Sequence, residues 1–203
     1  MISEHAADTK PALVGDSWGA MLALAFTARY PDRVAALALV GCGTFDLRAR
    51  TQLQETLEQR SSATLKAQMA ALALRLPNTE ECIRQLRRLS DPLYTYARAP
   101  DTDDPIERFD PKGHIESWED MVWLQTSGRY PEAFVTIHCP VLMLHGSYDP
   151  HPGPLIRNSL IPYIPQLEYR ELDECGHSPW VEQHARDKFL ADLRSWLEQH
   201  LPA

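Results

Sequence analysis

Ser17 is the side chain of this 203-residue chain whose surroundings best suit a nucleophile. It stands between Gly15 and Gly19, after an apolar segment and before a run rich in Ala and Leu. Glycines two residues to either side are typical of a tight strand-to-helix turn, because larger side chains would clash where the backbone doubles back. Such a turn exposes the hydroxyl at a helix N-terminus, where free N–H groups favour negative charge. We therefore expect the N–H of Trp18 to stabilise an oxyanion.

A serine hydroxyl is a poor nucleophile until a base removes its proton, and a carboxylate must orient that base. His177 follows a strand predicted over 167–172 and lies in a short glycine-containing loop. Asp149 lies in the loop after a strand predicted over 140–146. We expect both loops to reach the sheet edge that carries Ser17, so that the three side chains act as nucleophile, acid and base.

Asp46 is the alternative acid, because it follows another strand predicted at 34–40. Asp149 is favoured, since its loop has the form of a strand-end turn that faces Ser17.

Other side chains near the acid and the base suggest different chemistry. His145, Asp149 and His151 lie close together in sequence and would suit a small metal site. They share one loop without helical i, i+4 spacing, so no metal is predicted, and nothing indicates an organic cofactor. A Cys175–His177 nucleophile pair is a further alternative, although residues so close in one loop rarely reach the required geometry.

The segments around Ser17 predict a strand–helix–strand unit. A helix is predicted over 20–30 and ends at Pro31. Residues 34–40 are apolar throughout, which is typical of a parallel strand covered by helices on both faces. Near the C-terminus, apolar residues at helical spacing predict a helix that covers the sheet; they are Val181, Ala185, Phe189, Leu193, Trp196 and Leu197.

Between these two parts the composition changes. Residues 47–76 predict one or two amphipathic helices, and residues 79–89 predict another that Thr79 caps. Residues 91–113 are rich in Pro and Asp and predict a loop, followed by a short helix over 117–127. We therefore divide the chain into a core segment that carries the nucleophile (1–45), a helical cap (46–135), and a core segment that carries the acid and histidine loops (136–203).

The motifs of the chain resemble those of the α/β-hydrolase superfamily. The resemblance is carried by Gly15-Asp16-Ser17-Trp18-Gly19, His145-Gly146-Ser147-Tyr148-Asp149 and Gly176-His177-Ser178-Pro179. The chain order Ser17, Asp149, His177 is that of the superfamily and differs from the order in chymotrypsin-like and subtilisin-like proteases. The tryptophan after Ser17 is similar to the elbow of proline iminopeptidase-like members.

This resemblance implies a fold class and an activity. The fold would be α/β, a partial α/β-hydrolase with a mainly parallel sheet flanked by helices and a helical cap inserted after the second strand. The activity would be that of a serine hydrolase, which cleaves an ester, amide or related small-molecule acyl substrate through an acyl-enzyme. The N–H of Trp18 would belong to its oxyanion hole. A proline iminopeptidase-like aminopeptidase is the narrower alternative.

Upstream of Ser17 the chain departs from the family pattern. Family members have three or four strands before the nucleophile and a His-Gly loop that donates the second oxyanion N–H, whereas fourteen residues precede Gly15 here. The chain is interpreted as a fragment of a longer hydrolase, as half of a pair completed by another chain, or as a truncated inactive or ligand-binding relative. In the first two cases a missing N-terminal segment or a partner chain would complete the sheet.

The composition restricts partners and compartment. A formal net charge of −8 argues against binding nucleic acid. No apolar run is long enough to span a bilayer, and the first residues lack the features of a signal peptide. The four cysteines are widely spaced and are interpreted as reduced thiols. We therefore expect a cytoplasmic protein without nucleic-acid or membrane partners.

Overall fold

The fold is built on one parallel β-sheet. The structure, a computed structural model, describes residues 10–76, 79–100, 102 and 110–201. Its strands are β1 (Ala12–Asp16), β2 (Ala36–Val40), β3 (Val141–Gly146) and β4 (Leu167–Leu172). They lie side by side in chain order, and each neighbouring pair is parallel. The predicted fold class, a parallel sheet flanked by helices in a partial α/β-hydrolase arrangement, is confirmed.

Seven α-helices accompany these strands in the described part of the chain. They are α1 (Trp18–Arg29), α2 (Leu47–Arg60), α3 (Ala63–Arg75), α4 (Glu80–Tyr94), α5 (Pro111–Thr126), α6 (Gly153–Leu160) and α7 (Arg186–His200). Four of them, α2 to α5, lie between β2 and β3 in sequence, where the helical insertion was predicted.

The core has two layers, one on each face of the sheet. Alternate side chains of a strand point to opposite faces, so a strand that is apolar throughout can serve both layers. Leu37 and Leu39 of β2 belong to the layer shared with α1 and α6, whereas Ala36, Ala38 and Val40 belong to the layer shared with α7. Every residue of β2 and β3 is buried as a result. This burial holds the carboxyl ends of the strands in fixed positions.

Strand β1 forms one edge of the described sheet, where it pairs with β2. Most of its residues are only partly buried, and the side chain of Val14 is 51% exposed. A row of unpaired backbone groups on an edge strand is a ready template for another strand.

The helices inserted between β2 and β3 differ in their bounds from the sequence prediction. The predicted loop over 91–113 is wrong at both ends, because α4 runs to Tyr94 and α5 begins at Pro111. Pro92 removes one N–H from α4, yet the helix continues, since the Thr95 N–H still donates to the Asp91 carbonyl at 2.9 Å. Residues 101 and 103–109 of that loop lie outside the described residues.

Side-chain N-caps define where two of these helices begin. Thr79 is the N-cap of α4 as predicted, and its Oγ1 accepts the Cys82 N–H at 3.1 Å. Asp110 caps α5 by accepting the N–H groups of Lys112 and Gly113, each at 3.1 Å. With Pro in the first turn, this arrangement starts the helix earlier than the predicted residue 117.

Two expectations from composition concern the chain as a whole. All four cysteines are unpaired. Within the described residues, none of the helices combines the length and the apolar character that crossing a membrane requires. The cytoplasmic location stays a prediction.

Candidate active site

Ser17 occupies a strained turn between β1 and α1. Its φ of 50° and ψ of −116° lie in a region that side-chain-bearing residues rarely adopt, at a cost of about 1–3 kcal/mol. Its N–H donates to the Val40 carbonyl at 2.8 Å, and its own carbonyl accepts the Ala20 N–H at 3.1 Å. The turn is therefore fastened to the end of β2 on one side and to the first turn of α1 on the other.

The two glycines beside Ser17 have different structural roles. A Cβ at Gly15 would lie 2.4 Å from the Gly19 carbonyl oxygen, which is a severe clash with backbone. A Cβ at Gly19 would meet nothing closer than Asp16 Oδ1 at 3.8 Å, an ordinary contact. The expectation that both positions exclude larger side chains is therefore right for Gly15 and wrong for Gly19, because the crowding arises where the backbone of Gly19 passes over Gly15.

The structure brings His177 and Asp149 into direct contact. His177 Nδ1 lies 2.7 Å from Asp149 Oδ2, and the Asp149 side chain is fully buried. Asp46, the alternative acid, instead caps α2, where its Oδ1 accepts the Ala49 N–H at 2.8 Å. The acid that faces the histidine is thus the one in the loop after β3.

Gly41 connects His177 to the Ser17 turn. Gly41 has a φ of 52°, and a Cβ there would lie 2.7 Å from the His177 carbonyl oxygen and 3.0 Å from its Nδ1. The histidine backbone and ring therefore lie against the residue that follows Val40, to which the Ser17 N–H is bonded. The three predicted residues all border the carboxyl ends of β1, β2 and β3.

The electrostatics of the pair suit a general base. Burial alone would raise the pKa of Asp149, but the nearby charge of His177 and hydrogen bonds from His151 and His177 outweigh it and hold that pKa well below its usual range. Burial likewise opposes the charged form of His177, yet the charge and hydrogen bond of Asp149 raise the His177 pKa above its ordinary value of 6.5. The carboxylate is ionised, and the imidazole is a stronger base than a free histidine.

His145 supports the acid as a neutral imidazole. Burial lowers its pKa, and its Nδ1 is buried without a hydrogen-bond partner among the described residues. Its Nε2 lies 2.9 Å from the His151 carbonyl oxygen, which can only accept, and 3.2 Å from Asp149 Oδ2. The proton is therefore on Nε2, and the side chain joins β3 to the loop that carries the acid.

Asp149, His151 and His177 form a set of side chains that could ligate a metal, with donor atoms within 4.8 Å of one another. Their nitrogen–oxygen distances of 2.7 and 2.9 Å are those of hydrogen bonds. Two ligands about 2.0–2.1 Å from a tetrahedral zinc ion would lie farther apart, at roughly 3.3 Å. The spacing favours a proton over a metal ion between these groups, and the absence of a metal cofactor stays a prediction.

The thiols near the site are poor nucleophiles. Burial raises the pKa of Cys175 to about 12, and that of Cys42 also to about 12. The thiolate, which is the reactive form, is therefore scarce at neutral pH. This disfavours the Cys175–His177 alternative.

Trp18 is the first residue of α1, so its N–H belongs to the group that finds no acceptor within the helix. Its ring packs against Trp118 of α5 with centroids 5.7 Å apart. The residue therefore combines the predicted oxyanion donor with a contact to the helices inserted between β2 and β3.

Sequence analysis missed Glu182, a fully buried carboxylate beside the histidine loop. It accepts three backbone N–H groups: those of Tyr96 at 2.9 Å, Ala97 at 2.8 Å and Gly176 at 2.7 Å. The His177 N–H also donates to the Tyr94 carbonyl at 2.8 Å. These bonds fasten the histidine loop to the end of α4. A signal was available in the spacing, since Glu182 stands three residues before Ala185 and seven before Phe189, both of which are apolar and buried, although the helix itself begins only at Arg186.

Comparison with known proteins identifies the family of the chain. The family model of the alpha/beta hydrolase fold matches residues 1–183. The chain belongs to the α/β-hydrolase family. A proline iminopeptidase of Lactobacillus helveticus (strain DPC 4571) is 26% identical over 222 aligned residues, which cover 98% of this chain and 69% of that protein.

Solved structures share the fold of this chain. A proline iminopeptidase from Mycobacterium smegmatis matches with a TM-score of 0.52 and 18% identity, over 92% of this chain and 64% of that one. A thermophilic esterase from Thermogutta terrifontis matches with a TM-score of 0.53 and 22% identity, over 94% and 65%. The chain thus spans about two thirds of the length of the proteins it matches.

Replacing Gly15 should test the strained turn. We expect Gly15→Ala to destabilise the fold by at least about 2 kcal/mol, because its Cβ would overlap backbone that cannot move aside. Gly19→Ala is the matched control, expected within about 1 kcal/mol of the wild type, since that site is open and helical. Urea unfolding measures both, and equal losses would contradict the assigned roles.

Replacing Glu182 should test the fastening of the histidine loop. Glu182→Gln keeps the shape but turns an N–H toward a backbone N–H, so we expect a loss of about 1–3 kcal/mol in the free energy of unfolding. Thermal unfolding gives the value. Glu198→Gln, an exposed change on α7, is the control and should have no measurable effect. A Glu182→Gln protein as stable as the control would contradict this role.

Proposed function

We propose that this member of the α/β-hydrolase family is a serine hydrolase that acts on small-molecule acyl substrates. Ser17 is the nucleophile, His177 the general base and Asp149 the acid. The observation that carries the proposal is the 2.7 Å contact between His177 Nδ1 and the buried, ionised Asp149, next to a serine in a strained turn. This combination suits nucleophilic catalysis, and strain of this kind concentrates at functional sites.

The proposed reaction has two halves. The Ser17 hydroxyl attacks the substrate carbonyl while His177 takes its proton, and His177 then delivers that proton to the leaving group. Asp149 keeps the proton of His177 on Nδ1 and stabilises the imidazolium that forms. A water molecule activated by His177 then releases the acyl group from Ser17. The chemistry requires no metal or organic cofactor.

The N–H of Trp18 is the first donor of the proposed oxyanion hole. Its position at the start of α1 supports this role, because N–H groups and the helix dipole there favour negative charge. A second donor would add about two to three powers of ten in rate. We propose that it comes from polypeptide that pairs with the open edge of β1, either a further segment of the same protein or a partner chain. The greater length of the matched proteins supports this.

We also propose that residues 46–135 form a cap over the site. Two contacts support it: the Trp18–Trp118 ring pair, and the Tyr94 ring, which meets the His177 ring edge-on with centroids 5.6 Å apart. Trp118 and Trp123 are about half exposed, which leaves apolar surface for a substrate. A cap of this kind selects the substrate and excludes water.

Covalent labelling tests the nucleophile. We expect a fluorophosphonate probe to label the wild-type chain, and Ser17→Ala to abolish the labelling, because the probe reacts with an activated serine. In-gel detection followed by peptide mass spectrometry identifies the modified residue. His177→Gln should slow labelling by at least about two powers of ten.

The control is Ser159→Ala, a serine on α6 whose hydroxyl bonds to a backbone carbonyl, and it should label as the wild type does. A folded wild-type chain that resists the probe would instead favour an inactive or ligand-binding relative. Labelling that appears only when the N-terminal third of a longer relative is added would favour an incomplete sheet.

An aminopeptidase is the second candidate, and the proline iminopeptidase relative favours it. We expect prolyl-naphthylamide to be hydrolysed with a higher kcat/KM than p-nitrophenyl acetate if the cap holds a carboxylate for the substrate ammonium. Fluorescence and absorbance assays on one preparation make the comparison. Faster hydrolysis of the ester would remove this candidate and leave the acyl hydrolase.

A further inference from the structure

Two imidazoles present Nδ1 to the Asp149 carboxylate, one to each oxygen, while His145 Nε2 lies 3.2 Å from Oδ2. His177 Nδ1 lies 2.7 Å from Oδ2, and His151 Nδ1 lies 2.9 Å from Oδ1. The backbone N–H of His151 donates to the same Oδ1 at 2.9 Å. The mechanism proposed above uses the first imidazole and leaves the second without a role.

The two imidazoles also touch each other. Their rings are stacked, with centroids 4.7 Å apart and planes inclined by 23°. Each has 15% of its side chain exposed, so both are largely shielded from water. The Tyr94 ring packs against both imidazoles, with its centroid 6.1 Å from that of His151 and 5.6 Å from that of His177. Because the rings are close and the carboxylate is shared, a change at one imidazole reaches the other.

We propose that His151 is a positioning residue that shares the Asp149 carboxylate with His177 and thereby limits how basic His177 becomes. The inference rests on the proposed function, since it concerns the same general base. A hydrogen bond to Oδ1 draws negative charge away from Oδ2, which leaves less charge to stabilise a protonated His177. The stacked His151 ring fixes the plane in which His177 presents its outer nitrogen.

The sign of the effect separates this role from a purely structural one. Removing the His151 donor leaves Asp149 ionised, because His177 and the His151 backbone N–H still bond to it. Without the donor on the His151 ring, more of the carboxylate charge remains on Oδ2. That charge stabilises protonated His177, so the His177 pKa rises. Simple loosening of the loop would move Asp149 away from His177 and lower that pKa instead.

The other charged and titratable groups around His177 are the same in the wild type and in the His151 variants. Asp16 at the end of β1 raises the His177 pKa, and Arg87 of α4 lowers it. Burial keeps His145 neutral, and it raises the pKa of the Tyr94 hydroxyl, which keeps that group neutral too. His145 bonds to the backbone carbonyl of His151, which all of the substitutions retain.

Two substitutions separate the hydrogen bond from the ring. His151→Phe keeps a stacked ring and removes the donor, whereas His151→Asn places an amide N–H near the position of Nδ1 and removes the ring. The His177 ring is titrated by NMR in each protein, and its resonance is identified by its loss in His177→Gln. His138→Phe, an exposed histidine at the amino end of β3, is the control.

The expected result is a His177 pKa higher by about half a unit or more in His151→Phe and close to the wild-type value in His151→Asn and in the control. If activity is present, the acid limb of kcat/KM moves to higher pH in His151→Phe, because catalysis requires neutral His177. An unchanged or lower pKa in His151→Phe, or an equal shift in His151→Asn, would overturn the inference. If His151→Phe does not fold, His151→Ala takes its place with the same expected direction.

The titration needs no turnover, so it can fail separately from the proposed function. A chain whose Ser17 resists labelling but whose His177 pKa rises in His151→Phe would refute the hydrolase and keep the shared carboxylate. If Ser17 is labelled but the His177 pKa does not change in His151→Phe, the proposed hydrolase is kept and the role of His151 is refuted.

Discussion

The burial of one negative charge, that of Asp149, governs the arrangement of the site. An ionised carboxylate taken out of water costs several kcal/mol unless hydrogen bonds and opposite charge compensate it. Here burial is the largest single influence on the carboxylate and opposes its ionisation, yet its pKa stays low. Both oxygens are occupied, Oδ2 by His177 and His145 and Oδ1 by the side chain and backbone of His151. The loop after β3 and the loop after β4 must therefore meet, because neither alone satisfies the charge.

The positions that meet around this charge are fixed by a rigid sheet. Strands β2 and β3 are buried throughout, so their carboxyl ends cannot shift without disturbing both core layers. Ser17 is bonded to the end of β2 through Val40, and His177 lies against Gly41, the next residue. The strain stored at Ser17 persists because the elements on either side of it are held by packing rather than by the turn itself.

Local sequence patterns were sufficient for the parallel strands, the flanking helices and the order of the loops. Uniformly apolar runs such as 36–40 specify a doubly covered strand, and loops that follow parallel strands reach the same edge. The patterns did not reveal that α4 continues through Pro92 to Tyr94, because a proline usually ends a helix, whereas here the Thr95 N–H still bonds to the Asp91 carbonyl. They also missed Glu182, because two of its three partners, Tyr96 and Ala97, lie in a segment far away in sequence. His145 is neutral because it is buried, and its burial cannot be read from the sequence.

The bonds of Glu182 and of the His177 N–H to residues 94–97 restrict how this molecule can open. The C-terminal end of α4 cannot move away from the sheet without displacing the histidine loop as well. Near Trp118 the inserted helices are joined to the core in another way, through the Trp18–Trp118 ring pair, the buried side chain of Met121 and a hydrogen bond from Gln125 Nε2 to the Thr44 carbonyl. A displacement at α4 would therefore change the position of the histidine, whereas a displacement at Trp118 would not act on that loop directly.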